Sequence, residues 1–179
     1  MQPIPAEVLR PIATAEADNA IVTELHELHG SALFDFVRHL GLADAEAADA
    51  VQEALVRLWR EFRRGTAIDS PLAWTYRTCY RLAMQHHRWR RQMSRLLPRL
   101  APRNTEYAGP ESSDRVTVWT AVDSLPPRQR HVVYLHYASD LPFEQIARIV
   151  GISPSGARTH ASRGLATLRS QLSAEEVSG

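Results

Sequence analysis

The stretch from Leu141 to Leu172, LPFEQIARIVGISPSGARTHASRGLATLRSQL, leaves the backbone little choice. Gly151 follows the last apolar residue of a helical pattern, and Ser153 and Pro154 come immediately after it. A glycine at that point supplies the left-handed conformation that closes a helix, with Ile152 folding back as the accompanying apolar contact. Serine caps a helix N-terminus well, and proline is favoured at the first helical position. The spacing therefore predicts one helix from about Pro142 to Val150 and a second starting at Pro154, joined by a tight turn. Ile146, Ala147, Ile149 and Val150 give the first helix its inward face.

The second helix has two faces. At 100° per residue, Ala157, Ala161, Gly164, Leu165, Leu168 and Leu172 fall on one side, while Ser155, Arg158, Thr159 and Ser162 fall on the other. His160 and Arg163 lie on the flanks. Small residues at 157, 161 and 164 let the helix approach a partner closely, and the polar face carries donors suited to base edges and phosphates. This is the pattern of a DNA-reading helix-turn-helix. The same short pattern also suits a surface αα-hairpin, so the neighbouring sequence has to decide between them.

Upstream, charge is strongly segregated. Residues 1–56 hold two Arg against ten acids, or −8, and residues 57–103 hold twelve Arg against two acids, or +10. The remainder carries −1, so the net charge of +1 conceals a basic block in the middle of the chain. Such asymmetry points to separate partners along the chain, with polyanion contact expected in the middle. All 21 basic residues are arginine, which we attribute to coding bias rather than to function.

The pattern along the chain is all-α. Residues 1–19 contain Pro3, Pro5 and Pro11 with little apolar periodicity and read as a loosely ordered extension. Ile21, Leu25, Leu28, Leu33, Phe34, Val37 and Leu40 recur at helical spacing, with Gly30 a candidate break. From Ala45 to Arg63, Val51, Leu55, Leu58, Trp59 and Phe62 form one stripe, and Asp49, Gln52, Glu53, Val56 and Arg60 gather opposite it. Ser70 and Pro71 then open a helix expected to reach about Gln92. Arg77, Arg81, Arg88, Arg90 and Arg91 give that helix a basic edge with Trp89 interleaved, a combination suited to stacked, unpaired bases on a guided phosphate backbone. Residues 93–115, rich in Pro, Gly and Ser, read as a flexible linker. A second small helical domain is expected over 116–172, with a tail at 173–179.

Two blocks resemble a known family. The segment SLPPRQRHVVYLHYASDLPFEQIARIVGISPSGARTHASRGLATLR resembles, nearly end to end, the C-terminal domain of extracytoplasmic-function sigma factors, which reads the minus-thirty-five promoter element. The resemblance implies DNA contacts at Arg158, Thr159, Ser162 and Arg163; the helical wheel adds Ser155. DAEAADAVQEALVRLW is similar to the first block of that family's N-terminal domain, which grips core RNA polymerase, and implies contacts at Asp49, Gln52 and Glu53. SPLAWTYRTCYRLAMQHHRWRR corresponds to the helix that recognises and melts the minus-ten element, where Arg81, Arg88, Trp89, Arg90 and Arg91 are the candidate contacts. This helix departs from the family's usual pattern at Thr75, Arg81 and Gln85.

The resemblance implies a sigma factor with core RNA polymerase and promoter DNA as partners, together with an anti-sigma factor or other regulator. The alternatives are a helix-turn-helix regulator acting without polymerase and a degenerate sigma that titrates a regulator. No catalytic residue, metal site or cofactor is expected: no phosphate loop, nucleophile elbow or Cys-His array appears, and His26 and His29 lack a third ligand at the usual spacing. Cys79 reads as a buried apolar residue. With no membrane-length apolar run and no leader pattern, a cytoplasmic location is expected.

Overall fold

A computed structural model describes residues 12–96 and 113–178, and among these every regular element is helical. In chain order they are α1 (Ile12–His39), α2 (Asp44–Arg63), α3 (Pro71–Leu96), α4 (Ser113–Ser124), α5 (Pro127–Tyr137), α6 (Phe143–Val150) and α7 (Pro154–Ser178). Helices α1 to α3 pack together as the N-terminal half, and α4 to α7 as the C-terminal half. None of the described helices is long and apolar enough to cross a membrane.

The local signals act as their chemistry dictates. Gly151 adopts φ 74° and ψ 48°, and the Gly151 and Ile152 amides both donate to the Ala147 carbonyl, at 2.9 and 3.0 Å. Ser153 Oγ accepts from the Gly156 amide at 3.0 Å and caps α7. Ser70 Oγ accepts from the Ala73 amide at 3.3 Å and caps α3. At the start of α2 the Ala43 amide donates to the Glu46 carboxylate at 3.0 Å. Each of these hydrogen bonds satisfies a backbone donor or acceptor in or beside a helix end, groups that the helical ladder leaves unpaired.

Several boundaries differ from the sequence expectation. Helix α1 already begins at Ile12, so residues 12–19 are helical rather than loosely ordered. Asp18 is buried there, and Trp59 Nε1 donates to Asn19 Oδ1 at 2.7 Å, which ties the segment to α2. Once Pro11 is passed nothing breaks the helix, and Gly30 does not interrupt it either. Helix α3 continues past Gln92 to Leu96, α4 begins at Ser113 rather than near Val116, and α7 runs beyond Leu172 to Ser178 because SAEEVS contains no breaker. Residues 1–11 and 97–112, which hold the rest of the extension and most of the expected linker, lie outside the described residues, as does the side chain of Leu172.

Leu33, Phe36 and Val37 of α1, Leu58 of α2, and Tyr76, Cys79 and Ala83 of α3 are essentially inaccessible and form the N-terminal core. Removing each large apolar side chain from water contributes roughly 1.5 to 3 kcal/mol. Burial pushes the Cys79 thiol up to about 12, so it packs as an inert apolar group. Thr75 and Thr78 are also buried, their hydroxyls donating to the Pro71 and Trp74 carbonyls at 2.8 and 3.0 Å. The departure at Thr75 is thus a core position whose polar atom is satisfied within its own helix.

In the C-terminal half, Ala157 and Ala161 of α7 are buried together with Gly164. A Cβ at Gly164 would stand 2.7 Å from Val133 Cγ2 and 3.4 Å from Leu125 Cδ1. The two halves also share one continuous cluster. Tyr134 of α5 packs on Phe36 and His39 of α1 with ring centroids 5.7 and 4.6 Å apart, and His131 meets Tyr80 of α3 edge-on at 5.6 Å.

Gly164→Ala is expected to destabilise the protein by roughly 1 kcal/mol, because overpacking of about 1 to 3 kcal/mol outweighs a helix-propensity gain of at most about 1 kcal/mol. Urea unfolding checks the sign. A second expectation concerns His131, whose pKa burial lowers to about 3, helped by the nearby Arg130, Arg128 and His87. A folded-state value below the unfolded one gives stability that is complete above about pH 6.5 and drains away as pH falls toward 3, by at most about 1.4 kcal/mol per pH unit. Unfolding at pH 7.5 and pH 5 should show a shallower acid loss for His131→Phe than for wild type.

Candidate functional site

Three surfaces collect the charged and aromatic residues singled out from the sequence. The first is the outer face of α7. Ser155, Arg158, Thr159, Ser162 and Arg163 are all exposed, while Ala157, Ala161, Gly164 and Leu168 are buried beneath them. The helix presents its polar side because its small residues are pressed onto α5 and α6. Thr159 Oγ1 donates to its own helix at the Ser155 carbonyl, 2.9 Å away, so it faces outward as an acceptor. Arg158 Nη2 donates to Glu144 Oε1 at 2.5 Å, and its guanidinium carbon stands 5.6 Å from the centroid of the Phe143 ring.

A groove between α2 and α3 forms the second surface. Asp49, Glu53 and Glu46 of α2 line it with Gln85, His86 and Trp89 of α3, enclosing about 460 Å³. Leu42 and Ala50 form an apolar floor. Glu53 accepts from Arg57 Nε at 2.7 Å, and that hydrogen bond holds its carboxyl below the ordinary value. Gln52 is exposed beside the groove. This wall can take a cationic, elongated partner, since it combines carboxylates with an apolar strip and an exposed indole. Trp89 is 57% exposed and belongs to this side, with its ring 6.0 Å from that of His86. Gln85 also opens onto this groove rather than lying wholly among the arginines.

The third surface is the basic side of α3. Arg77, Arg81, Arg88 and Arg91 are exposed, whereas Arg90 is half-buried. Arg81 borders a hollow of about 320 Å³ with Trp74 and Thr78, closed on the α2 side by Arg57, Arg60 and Arg64. The Arg64 guanidinium is bound to Glu61 at 2.8 Å. The structure therefore groups Arg81 with Trp74 and with the end of α2, and separates it from Trp89. Arg57 and Arg64 have no role in the sequence pattern above, and Arg60 appears there only in the stripe with Asp49, Gln52 and Glu53; the spacing of three and four residues that joins these arginines along one helix is the signal for them.

On its other side Trp74 meets the C-terminal half. Gln145, Arg148 and Ile149 of α6 face Ala73, Trp74 and Arg77 of α3 across a cleft of about 220 Å³. The surface of α3 nearest the first helix of the helix-turn-helix is thereby partly covered. Among the described residues, no cluster of three or more His, Cys, Asp or Glu is arranged to hold a metal.

Comparison with known proteins matches both halves. Residues 25–93 match the family described as Sigma-70 region 2, and residues 115–168 match Sigma-70, region 4. The chain is 27% identical over 148 residues to the RNA polymerase sigma-E factor of Streptomyces coelicolor, spanning 82% of each chain. It is 26% identical over 137 residues to the RNA polymerase sigma factor SigV of Bacillus subtilis, spanning 74% of this chain and 80% of that one. In fold it is similar to the sigma factor RpoE of Bartonella quintana solved with the anti-sigma factor NepR, with a TM-score of 0.67 and 22% identity over 84% of this chain and 96% of that one. It is also similar to CnrH in complex with the cytosolic domain of CnrY, with a TM-score of 0.60 and 21% identity over 91% and 94% of the two chains.

Proposed function

We propose residue roles from one premise: the chain belongs to the sigma-70 family, as a sigma factor of the extracytoplasmic-function type. It is a transcription-initiation factor that works with core RNA polymerase and recognises promoters. The observation that carries the assignment of roles is the segregation of charge between neighbouring faces of α2 and α3. Glu46, Asp49 and Glu53 line one groove against a single arginine, Arg57, and Arg57, Arg60, Arg64 and Arg81 line the next against a single carboxylate, Glu61.

In this reading Asp49, Gln52 and Glu53 hold core polymerase through a basic helical element seated in the groove, with Trp89 packing on its apolar side. Arg57 already neutralises part of Glu53, so the partner's cation must displace it or share the carboxylate. The basic side of α3 holds the minus-ten strand: Arg81, Arg88 and Arg91 track phosphate, Trp74 offers a ring for an unstacked base, and Arg90 supports them. Arg81 donates only, so its contribution is attraction to the backbone more than base discrimination. Ser155, Arg158, Thr159, Ser162 and Arg163 read the minus-thirty-five element in the major groove. The functional division falls in residues 97–112. The protein acts in the cytoplasm, performs no chemistry of its own and uses no cofactor or metal. The similar sigma factor RpoE, solved with the anti-sigma factor NepR, supports a regulator of that kind here.

Run-off transcription with purified core enzyme tests the whole assignment; a helix-turn-helix regulator acting without polymerase, or a degenerate sigma that titrates a regulator, would give no promoter-specific transcript. The triple variant Asp49→Ala, Gln52→Ala, Glu53→Ala is expected to compete for core at least about tenfold more weakly, equivalent to roughly 1.4 kcal/mol. A folded variant that competes as well as wild type would place the interface elsewhere. Arg60→Ala with Arg81→Ala should lower the log-log salt slope of single-stranded minus-ten binding by about 0.7 for each lost phosphate contact. An unchanged slope would remove both residues from the strand's path.

A further inference from the structure

Arg158 is the only member of the outer face of α7 whose side chain is held in an ion pair among the described residues, and the holder comes from another helix. Glu144 belongs to the first turn of α6 and binds Arg158 Nη2 at 2.5 Å, with both side chains 56% exposed. Phe143 supports the same guanidinium from the side at 5.6 Å. Phe143 is itself stacked on His136 of α5, with ring centroids 4.2 Å apart and planes 29° from parallel. His136 is fixed in turn by donating from Nδ1 to the Leu141 carbonyl at 3.0 Å. Three side chains from two other helices, Glu144 and Phe143 of α6 with His136 of α5 behind them, thus build toward one arginine at the solvent edge.

Such an arrangement contributes little to folding, because an exposed ion pair is screened by water and must order two flexible side chains. Its effect falls on what the arginine does next. A mobile arginine on a DNA-facing helix is drawn to the nearest phosphate, a contact that carries no sequence information. Discrimination requires the planar fork to meet the O6 and N7 atoms of a guanine edge-on. A carboxylate on one edge of the guanidinium fixes its plane, leaves the remaining hydrogens for a base, and lowers the positive charge that phosphate would see. The aromatic ring restricts the plane further.

We propose that Glu144, assisted by Phe143, is the positioning residue that turns Arg158 from a phosphate contact into a reader of guanine in the upstream element. The inference rests on the assignment of Arg158 to that element. Glu144 need not touch DNA; it acts through the arginine. The signature is a pair of opposite effects: loss of Glu144 weakens discrimination at one base pair while strengthening attraction to DNA of any sequence.

The test uses the full chain assembled with core polymerase and a library of promoter duplexes randomised over the upstream element. Wild type, Arg158→Ala, Glu144→Gln, Glu144→Asp and Phe143→Leu are compared at two salt concentrations, with circular dichroism as the folding control. Wild type should favour guanine at one position by about five- to a hundredfold. Arg158→Ala should abolish that preference alone. Glu144→Gln should reduce it at least threefold at the same position while raising affinity for scrambled duplex, and Glu144→Asp and Phe143→Leu should fall between wild type and Glu144→Gln. If Arg158→Ala removes a preference that Glu144→Gln leaves intact, the positioning role fails and the assignment of Arg158 stands. If Arg158→Ala alters no position, that assignment fails and the inference falls with it. An even loss of affinity across all positions in Glu144→Gln, without recovery in Glu144→Asp, would show that the pair only supports the fold and would overturn the proposal.

Discussion

Where α1 meets α5, Tyr134 closes on Phe36 and His39, and Trp119 of α4 completes the contact at 5.2 Å from Tyr134 and 5.3 Å from His39. Aromatic pairs of this kind contribute roughly 0.5 to 1.5 kcal/mol each beyond the area they bury. The polar atoms in the seam fix its geometry. His39 is 5% exposed and donates from Nδ1 to Asp123 Oδ1 at 2.8 Å, and Arg130 approaches the same carboxylate at 3.8 Å. The Tyr134 hydroxyl reaches the Ala32 carbonyl at 3.4 Å. An apolar seam tolerates sliding, but a buried imidazole left without its partner costs about 1 to 3 kcal/mol, so the halves are held in one register.

That register also decides what α3 presents. Gln145, Arg148 and Ile149 of α6 stand across a cleft from Ala73, Trp74 and Arg77, so this part of α3 is partly covered while the halves stay docked. The aromatic contacts and the His39–Asp123 hydrogen bond set the free energy of parting them.

The sequence was most legible where the backbone itself is the message. Gly151, Ser153 and Pro154 act through φ, a cap and a fixed ring, which are local effects, and the structure reproduces them. The buried stripe of α2 was equally clear, because Val51, Leu55, Leu58 and Phe62 repeat at helical spacing. What could not be read was anything created by two helices together. Trp89 sits with Glu46 and Asp49, and Arg81 sits with Arg57, Arg60 and Arg64; a wheel drawn for one helix cannot show which neighbour stands on each side. The same holds for His39 and Asp123, 84 positions apart in the chain. Residues 12–19 differ for another reason. Their apolar pattern is weak, and the hydrogen bond from Trp59 to Asn19 joins positions 40 apart in the chain.

Under the proposed roles, charge pairing separates two ways of holding a polyanion within this one chain. Among the described residues, Arg77, Arg81, Arg88 and Arg91 of α3 are exposed and form no ion pair, whereas Arg158 of α7 is engaged by Glu144. An arginine without a carboxylate is equally attracted to every phosphate within a Debye length, so a row of them supplies affinity that falls with salt and is indifferent to sequence. An arginine already bound has less to gain from phosphate and a narrower set of orientations in which a base edge can satisfy it. In the proposed roles, affinity follows from leaving cations unpaired along α3, and selectivity from pairing one on α7. The difference lies in whether an acid of the neighbouring helix reaches the arginine: Glu144 of α6 reaches Arg158, whereas Glu61, at the hollow that Arg81 borders, is engaged by Arg64.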